Sequence, residues 1–186
     1  MTTLTTTTLN DLAGTYTIDP SHTRVGFSTR HAMITKVRGA FNEVSGAATT
    51  GPGLQDAIIE LTVQAGSVDT RSADRDGHLR SADFFDVETY PVITFRSTQV
   101  EAVDAETLRV TGDLTIKDTT RPVTVDFEFA GAAQDPFGNE RIGFEGSVGV
   151  NRKDFGLTWN AALETGGVLV SEKVTLEFEV SAIKSA

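Results

Sequence analysis

Period-two alternation of apolar and polar residues is the strongest constraint on how this chain folds. From Leu108 to Lys117 the even positions Leu108, Val110, Leu114 and Ile116 are apolar, with Gly112 among them, while Arg109, Thr111, Asp113, Thr115 and Lys117 are polar. Val123, Val125, Phe127 and Phe129 share one face opposite Thr124, Asp126 and Glu128, and Val174, Leu176, Phe178 and Val180 stand opposite Lys173, Thr175, Glu177 and Glu179. Such strands bury one face and wet the other, as antiparallel sheets do. Further strands are expected at Val25–His31, Arg38–Val44, Ile58–Gln64, Val92–Val100, Ile142–Val150 and Gly167–Val170. The runs Gly51-Pro52-Gly53, Asp104-Ala105, Asp118-Thr119-Thr120 and Asp135-Pro136-Phe137-Gly138-Asn139 punctuate them as hairpin turns. Many short strands with one apolar face each leave a sandwich or a closed barrel. Closure removes exposed edges, but the pattern by itself leaves both open.

One stretch breaks the alternation. Asp69–Asp86 is charged, has no β-branched residue after Thr70, and places Asp74 and His78 at i, i+4, which suits a short helix inserted between strands and ending before Tyr90-Pro91. Gly77 weakens that helix by about 1 kcal/mol relative to Ala. With 186 residues and no internal repeat, the chain reads as one domain over 15–186 behind a flexible, Thr-rich lead-in over 1–14. The absence of cysteine excludes thiol catalysis, iron–sulfur ligation and a disulfide framework. A net charge of −10 argues against a nucleic-acid-binding face. No apolar run approaches the ~20 residues of a membrane helix. Neither a basic n-region nor an apolar h-region opens the chain, so a cytoplasmic location is expected.

Few residues here suit catalysis. The three histidines, His22, His31 and His78, share no usual zinc-ligand spacing, and no metal site is expected. On the Arg24–His31 strand, His31 falls on the same face as Phe27 and is expected to point inward. It is either a polar anchor in an apolar cavity or a core histidine bonded to a carbonyl. His22 follows Asp19-Pro20-Ser21 and suits a turn. Arg75, Asp76 and His78 form a compact polar group that could serve as an acid/base set, but without a nearby nucleophile signature it reads as a solvated helix ion-paired to Arg71 and Arg80. There is no Gly-rich phosphate loop, G-x-S-x-G elbow or H-E-x-x-H. Aromatic usage is lopsided, with 11 Phe against 2 Tyr and 1 Trp. Phe127, Phe129 and Phe178 read as plain core. The adjacent Phe84 and Phe85, after a charged helical stretch, are expected not to point the same way, which puts one of them at a cavity mouth.

Several motifs carry a family resemblance. They begin with Ile18-Asp19-Pro20-Ser21-His22, Val25-x-Phe27 and His31, and continue with Val37-x-Gly39-x-Phe41 and Ser67-Val68-Asp69-Thr70. Then come Arg75 through Asp86, Tyr90-Pro91-x-Ile93-x-Phe95-x-Ser97, Gly112 through Lys117, and Asn151-Arg152-Lys153-Asp154-Phe155-Gly156-Leu157. In this order, from about Thr15 to Ile183, they resemble the YceI-like family. Tyr16 replaces the family's usual Trp, and Asp118 replaces a common glycine. The resemblance implies an all-β, antiparallel, eight-stranded lipocalin-like barrel with a short helical insert. It also implies a lumen for polyisoprenoids or other long-chain amphiphiles, and no established enzymatic activity or cofactor.

On that basis Phe27, His31, Phe41, Leu79, Phe84, Phe85, Phe95, Phe155 and Trp159 are the candidate ligand-binding residues. Arg30, Arg75 and His78, with His31, are candidates for a phosphate or quinone head group. The expected role is transport or storage of a long apolar chain. An enzyme acting on an isoprenoid lipid and a ligand-free interaction protein with a side-chain-filled barrel are the alternatives. A homodimer would give a long tail extra cover.

Overall fold

The alternating segments form antiparallel strands that close on themselves. The fold was analysed as a computed structural model that describes residues 7–164 and 166–185. The strands are β1 (Gly14–Ile18), β2 (Arg24–His31), β3 (Thr35–Phe41), β4 (Val44–Thr50), β5 (Ile58–Gln64) and β6 (Val68–Asp69). After helix α1 (Ala73–Arg80) come β7 (Val92–Ala102), β8 (Thr107–Ile116), β9 (Thr119–Gln134), β10 (Glu140–Asn151) and β11 (Val170–Lys184). The order β1-β4-β5-β7-β8-β9-β10-β11 returns to β1, which gives a closed eight-stranded barrel. The expected architecture, an antiparallel barrel with one helical insert, is the observed one.

Three staves of the barrel are bent. β11 pairs with β1 along Ala182–Lys184 and with β2 along Val170–Glu179, so β1 and β2 are one stave interrupted at Asp19–Thr23. Pro20 supplies no N–H to the ladder there, and the Asp19 carboxylate takes the Ser21 backbone N–H (3.0 Å) and hydroxyl (2.7 Å), turning the chain. In the same way β3 continues into β4, and β5 into β6, which pairs with Ala40 and Phe41. The strand expected over Arg38–Val44 is therefore broken at Asn42–Glu43. Of the strand expected at Gly167–Val170 only Val170 is in β11, which carries on through Val174–Val180 with an irregularity between Val170 and Val174; Val168 makes just an isolated bridge to Ala162.

Two glycines set how closely the walls approach the rings inside. Gly39 lies opposite Phe27, and a Cβ there would run into the Phe27 ring and the Thr70 methyl. On Gly112 a Cβ would meet both the Phe95 ring and the Arg96 carbonyl. These aromatics lie across bare backbone, which lets the sheet curl tightly.

The two barrel ends are closed differently. At one end Thr8–Asp11 forms a short turn in which the Asp11 carboxylate accepts from the Thr8 N–H and hydroxyl, both 2.9 Å. Leu9 and Leu12, only 2% and 4% exposed, pack there with Leu108 and Val110. The lead-in expected to be flexible is thus packed from Leu9 onward, because two leucines on a tight turn find the open end of the core. Residues 1–6 of that lead-in lie outside the described residues. At the other end sits the insert bearing α1, which starts at the Ser72 N-cap.

Candidate functional site

The barrel interior is not filled. A cavity of about 260 Å³ runs along it, from Tyr16, Ile59 and Phe144 near the Leu9 end to Leu79, Phe84 and Phe155 beneath the α1 end. Its wall is apolar because nearly every inward position of the alternating strands is, as the inner row Leu108, Val110, Leu114 and Ile116 of β8 illustrates. Apolar cavities of this kind stay dry and accept apolar guests.

Seven of the nine candidate ligand-binding residues line this cavity: Phe27, Phe41, Leu79, Phe84, Phe85, Phe95 and Phe155. Phe27, Phe41 and Phe85 form a chain of ring contacts with centroids 5.7 and 5.6 Å apart. Phe84 and Phe85 both reach the lumen, whereas one was expected to. They lie in a tight turn after α1 rather than on an extended strand. Their backbone N–H groups donate to Ser81 O (3.0 Å) and Leu79 O (2.9 Å) respectively, and that turn swings both rings inward.

Two candidates lie elsewhere. Trp159 is outside the lining, half-buried behind it, stacked edge-on against His78 (4.5 Å) and near Phe84 (5.5 Å). His31 does not point into the interior as expected. It is exposed, because it is the last residue of β2, at the turn into β3 and past the cavity lining.

The head-group candidates are likewise occupied or outward. Arg30 is exposed, with its guanidinium donating to Ile34 O at 3.3 Å. Arg75 grips Thr70, its Nε donating to the Thr70 hydroxyl (2.8 Å) and Nη2 to the Thr70 carbonyl (2.7 Å). Buried Asp76 accepts from the same residue, from the backbone N–H at 2.8 Å and the hydroxyl at 2.6 Å. The expected solvated helix is therefore a clamp. Arg75 and Asp76 together fasten α1 to the end of β6, and Arg80 adds a bond to Gly66 O at 2.9 Å. His78 pairs with the Asp83 carboxylate at 2.9 Å. None of Arg75, Asp76 and His78 lines the cavity. Among the described residues no three His, Cys, Asp or Glu side chains are grouped to hold a metal ion, and no helix is long and apolar enough to cross a membrane.

The charged group that does line the cavity is Arg152, part of the Asn151–Leu157 motif but not among the head-group candidates named from the sequence. It is 4% exposed. Its guanidinium donates to three backbone carbonyls: Ser171 (2.8 Å), Leu157 and Val170 (3.2 Å). Burial pulls its pKa down, opposed by the Glu172 charge. No carboxylate forms an ion pair with it among the described residues. The carbonyls supply the partners that burial would otherwise deny this cation, and its stem completes the apolar wall. Phe127 and Phe178, read as plain core, also line the cavity. A face that fills a barrel and one that lines a hollow use the same residues, so alternation could not separate them.

The chain matches the YceI-like domain model over residues 16–182. It belongs to the YceI-like family. UPF0312 proteins of Vibrio cholerae and Pseudomonas aeruginosa are 37% and 38% identical to it over 148 and 149 residues, in each case 78% of this chain and 78% of the relative. The solved YceI protein of Campylobacter jejuni superposes with a TM-score of 0.72 at 30% identity, covering 84% of this chain and 90% of that one. A polyisoprenoid-binding domain from Saccharophagus degradans shares the fold, with a TM-score of 0.71 at 17% identity over 91% of this chain and 98% of that one.

Proposed function

We propose that this YceI-like barrel binds a long-chain apolar or amphiphilic lipid in its lumen, with a polyisoprenoid as the leading class, and serves to carry or store it. One observation carries the reading: the continuous apolar cavity of about 260 Å³. At ~24 cal/mol per Å³, a void of that size forgoes about 6 kcal/mol of packing if it stays empty. A chain with eleven phenylalanines had ample material to fill it. Each buried methylene contributes ~0.8 kcal/mol, so a dozen carbons supply on the order of 10 kcal/mol before ordering costs. Arg152 is the one charged side chain on the cavity wall, and an anionic or strongly accepting head would have to draw its guanidinium away from the carbonyls that hold it. Family membership supports the same reading, and the name of the Saccharophagus degradans domain supplies the ligand class. A binding role rather than catalysis fits the clamp role of Arg75 and Asp76, and a cytoplasmic location remains part of the proposal.

Native mass spectrometry of the purified chain, followed by solvent extraction and mass analysis of what is released, tests this. A discrete adduct with isoprenoid mass spacing is expected. A clean apo mass, unchanged after incubation with isoprenoids and fatty amphiphiles, overturns the proposal in favour of a ligand-free interaction protein. Turnover of isoprenyl phosphates would instead identify an enzyme.

A further inference from the structure

The β2–β3 hairpin has a tip that local folding rules do not explain. Its turn is His31-Ala32-Met33-Ile34, closed by the Ile34 N–H donating to His31 O at 3.0 Å. Ala32 and Met33 both have positive φ, 51° and 61°, so this is the type I′ geometry that ordinarily takes Asn-Gly. Neither residue suits it. The turn displays Met33, 64% exposed, and Ile34, 76% exposed. Met33 leans over Gly167, beside the exposed Val168, so the two loops form one apolar patch at the barrel rim. The Ala32 N–H donates to Leu169 O at 2.7 Å and holds the loops together.

Beneath the tip, Arg30 stands directly opposite Lys36, and Arg38 follows on the same outward face opposite Ser28. All three are exposed, and none is ion-paired among the described residues. Like charges opposite one another in a ladder destabilise it, and a chain with a net charge of −10 has no shortage of carboxylates to relieve them. The nearest of them, Glu177, accepts from the Ser28 hydroxyl at 3.3 Å but is ion-paired with Arg24 rather than with this row. Asp126, Glu128, Glu145, Glu177 and Glu179 gather on the outer barrel wall around Arg24.

We infer that the β2–β3 tip is a docking finger for an anionic phospholipid bilayer. Met33 and Ile34 enter the headgroup–acyl boundary, and Arg30, Lys36 and Arg38 meet the lipid phosphates. The acidic wall is repelled by the same surface, which restricts contact to the rim. The surface chemistry supports this inference independently of what occupies the lumen.

Co-sedimentation of the full chain with mixed phosphatidylglycerol–phosphatidylcholine vesicles, and with pure phosphatidylcholine vesicles, tests it. Binding is expected to the mixed vesicles, to weaken with added salt, and to fall roughly fivefold for each of Arg30→Gln, Lys36→Gln and Arg38→Gln. The variant Ala32→Asn/Met33→Gly/Ile34→Thr installs the residues the turn prefers. It should melt about 2–4 °C higher while losing vesicle binding at least tenfold, a combination that a merely structural hairpin would not show. No binding to mixed vesicles, or wild-type binding by that variant, overturns the proposal. So does a dimer in sedimentation velocity that the triple variant dissociates without any vesicle binding. Lumen occupancy by native mass spectrometry should be the same in all these variants, so failure of docking and failure of lipid binding are separable.

Discussion

At the scale of single residues, the cavity depends on what is absent from the wall as much as on what lines it. Gly39 leaves room for the Phe27 ring, so Gly39→Ala should push that ring into the lumen. Binding of a fluorescent apolar probe is expected to weaken about tenfold, with a stability loss of about 1–3 kcal/mol from overpacking, read by urea denaturation. Unchanged probe affinity would mean the ring can yield away from the cavity. At Gly112 the obstructing atoms include the Arg96 carbonyl, which is fixed in the sheet, so Gly112→Ala should be the more destabilising of the two. Arg152 is a different kind of constraint. Truncation to Met strips the donors from three carbonyls and should lower stability by about 2–4 kcal/mol. The specific signature is selectivity. Arg152→Met should lose affinity for amphiphiles with anionic heads far more than for neutral ones of equal chain length, measured by competition against the same probe. Equal losses for both would leave Arg152 a purely structural group.

At the scale of elements, the insert bearing α1 decides whether the lumen is shut. α1 is short, mostly polar and exposed on most of its surface, and it is held by the grip of Arg75 and Asp76 on Thr70 rather than by an apolar face. Asp76→Ala leaves the Thr70 N–H and hydroxyl without their acceptor, a loss of about 1–3 kcal/mol. Because Leu79, Phe84 and Phe85 ride on this insert, hydrogen exchange across 70–91 should accelerate ahead of the barrel strands, and bound lipid should dissociate faster. Exchange that rises uniformly through the barrel would show instead that the insert is not a separate opening unit. The element scale also shows what the sequence made legible. β8 follows its alternation residue by residue, and Ala73–Arg80 is the helix that the charged stretch announced. The turn at Asp19–His22 was read from Asp19-Pro20-Ser21, whereas the bend at Asn42–Glu43 was missed because the half-stave after it carries no clear period. The far end of β9 was missed because Gly131, at φ 126°, interrupts the alternation there. At the site, the aromatic lining was legible as apolar inward positions. Arg152 was legible only as part of the Asn151–Leu157 motif, since a buried arginine that satisfies itself on carbonyls looks in sequence like any surface charge.

For the whole molecule, closure of the barrel is reinforced by one guanidinium. Arg141 on β10 donates to Asp19 at the β1–β2 bend (2.6 Å) and to Asp135 in the β9–β10 turn (2.8 Å), joining parts of the chain far apart in sequence. Arg141, followed by Ser21 and His22, holds the Asp19 carboxyl well below the usual carboxylate range, and Arg141 with Asn139 does the same for Asp135. Groups whose folded pKa is depressed stabilise the fold above their unfolded value, and that contribution disappears as pH falls through the folded one. The melting temperature should therefore be insensitive to these two carboxylates at neutral pH and drop progressively below about pH 4, where unfolded aspartates begin to take up protons. Arg141→Gln removes the cause rather than the carboxylates, so two effects are expected together. Stability at neutral pH falls, and the curve below pH 4 becomes shallower, because the aspartates then titrate more nearly alike in both states. A variant that loses stability by the same amount at every pH would show that Arg141 acts through packing of its stem, and that the acid sensitivity of the barrel arises at other carboxylates.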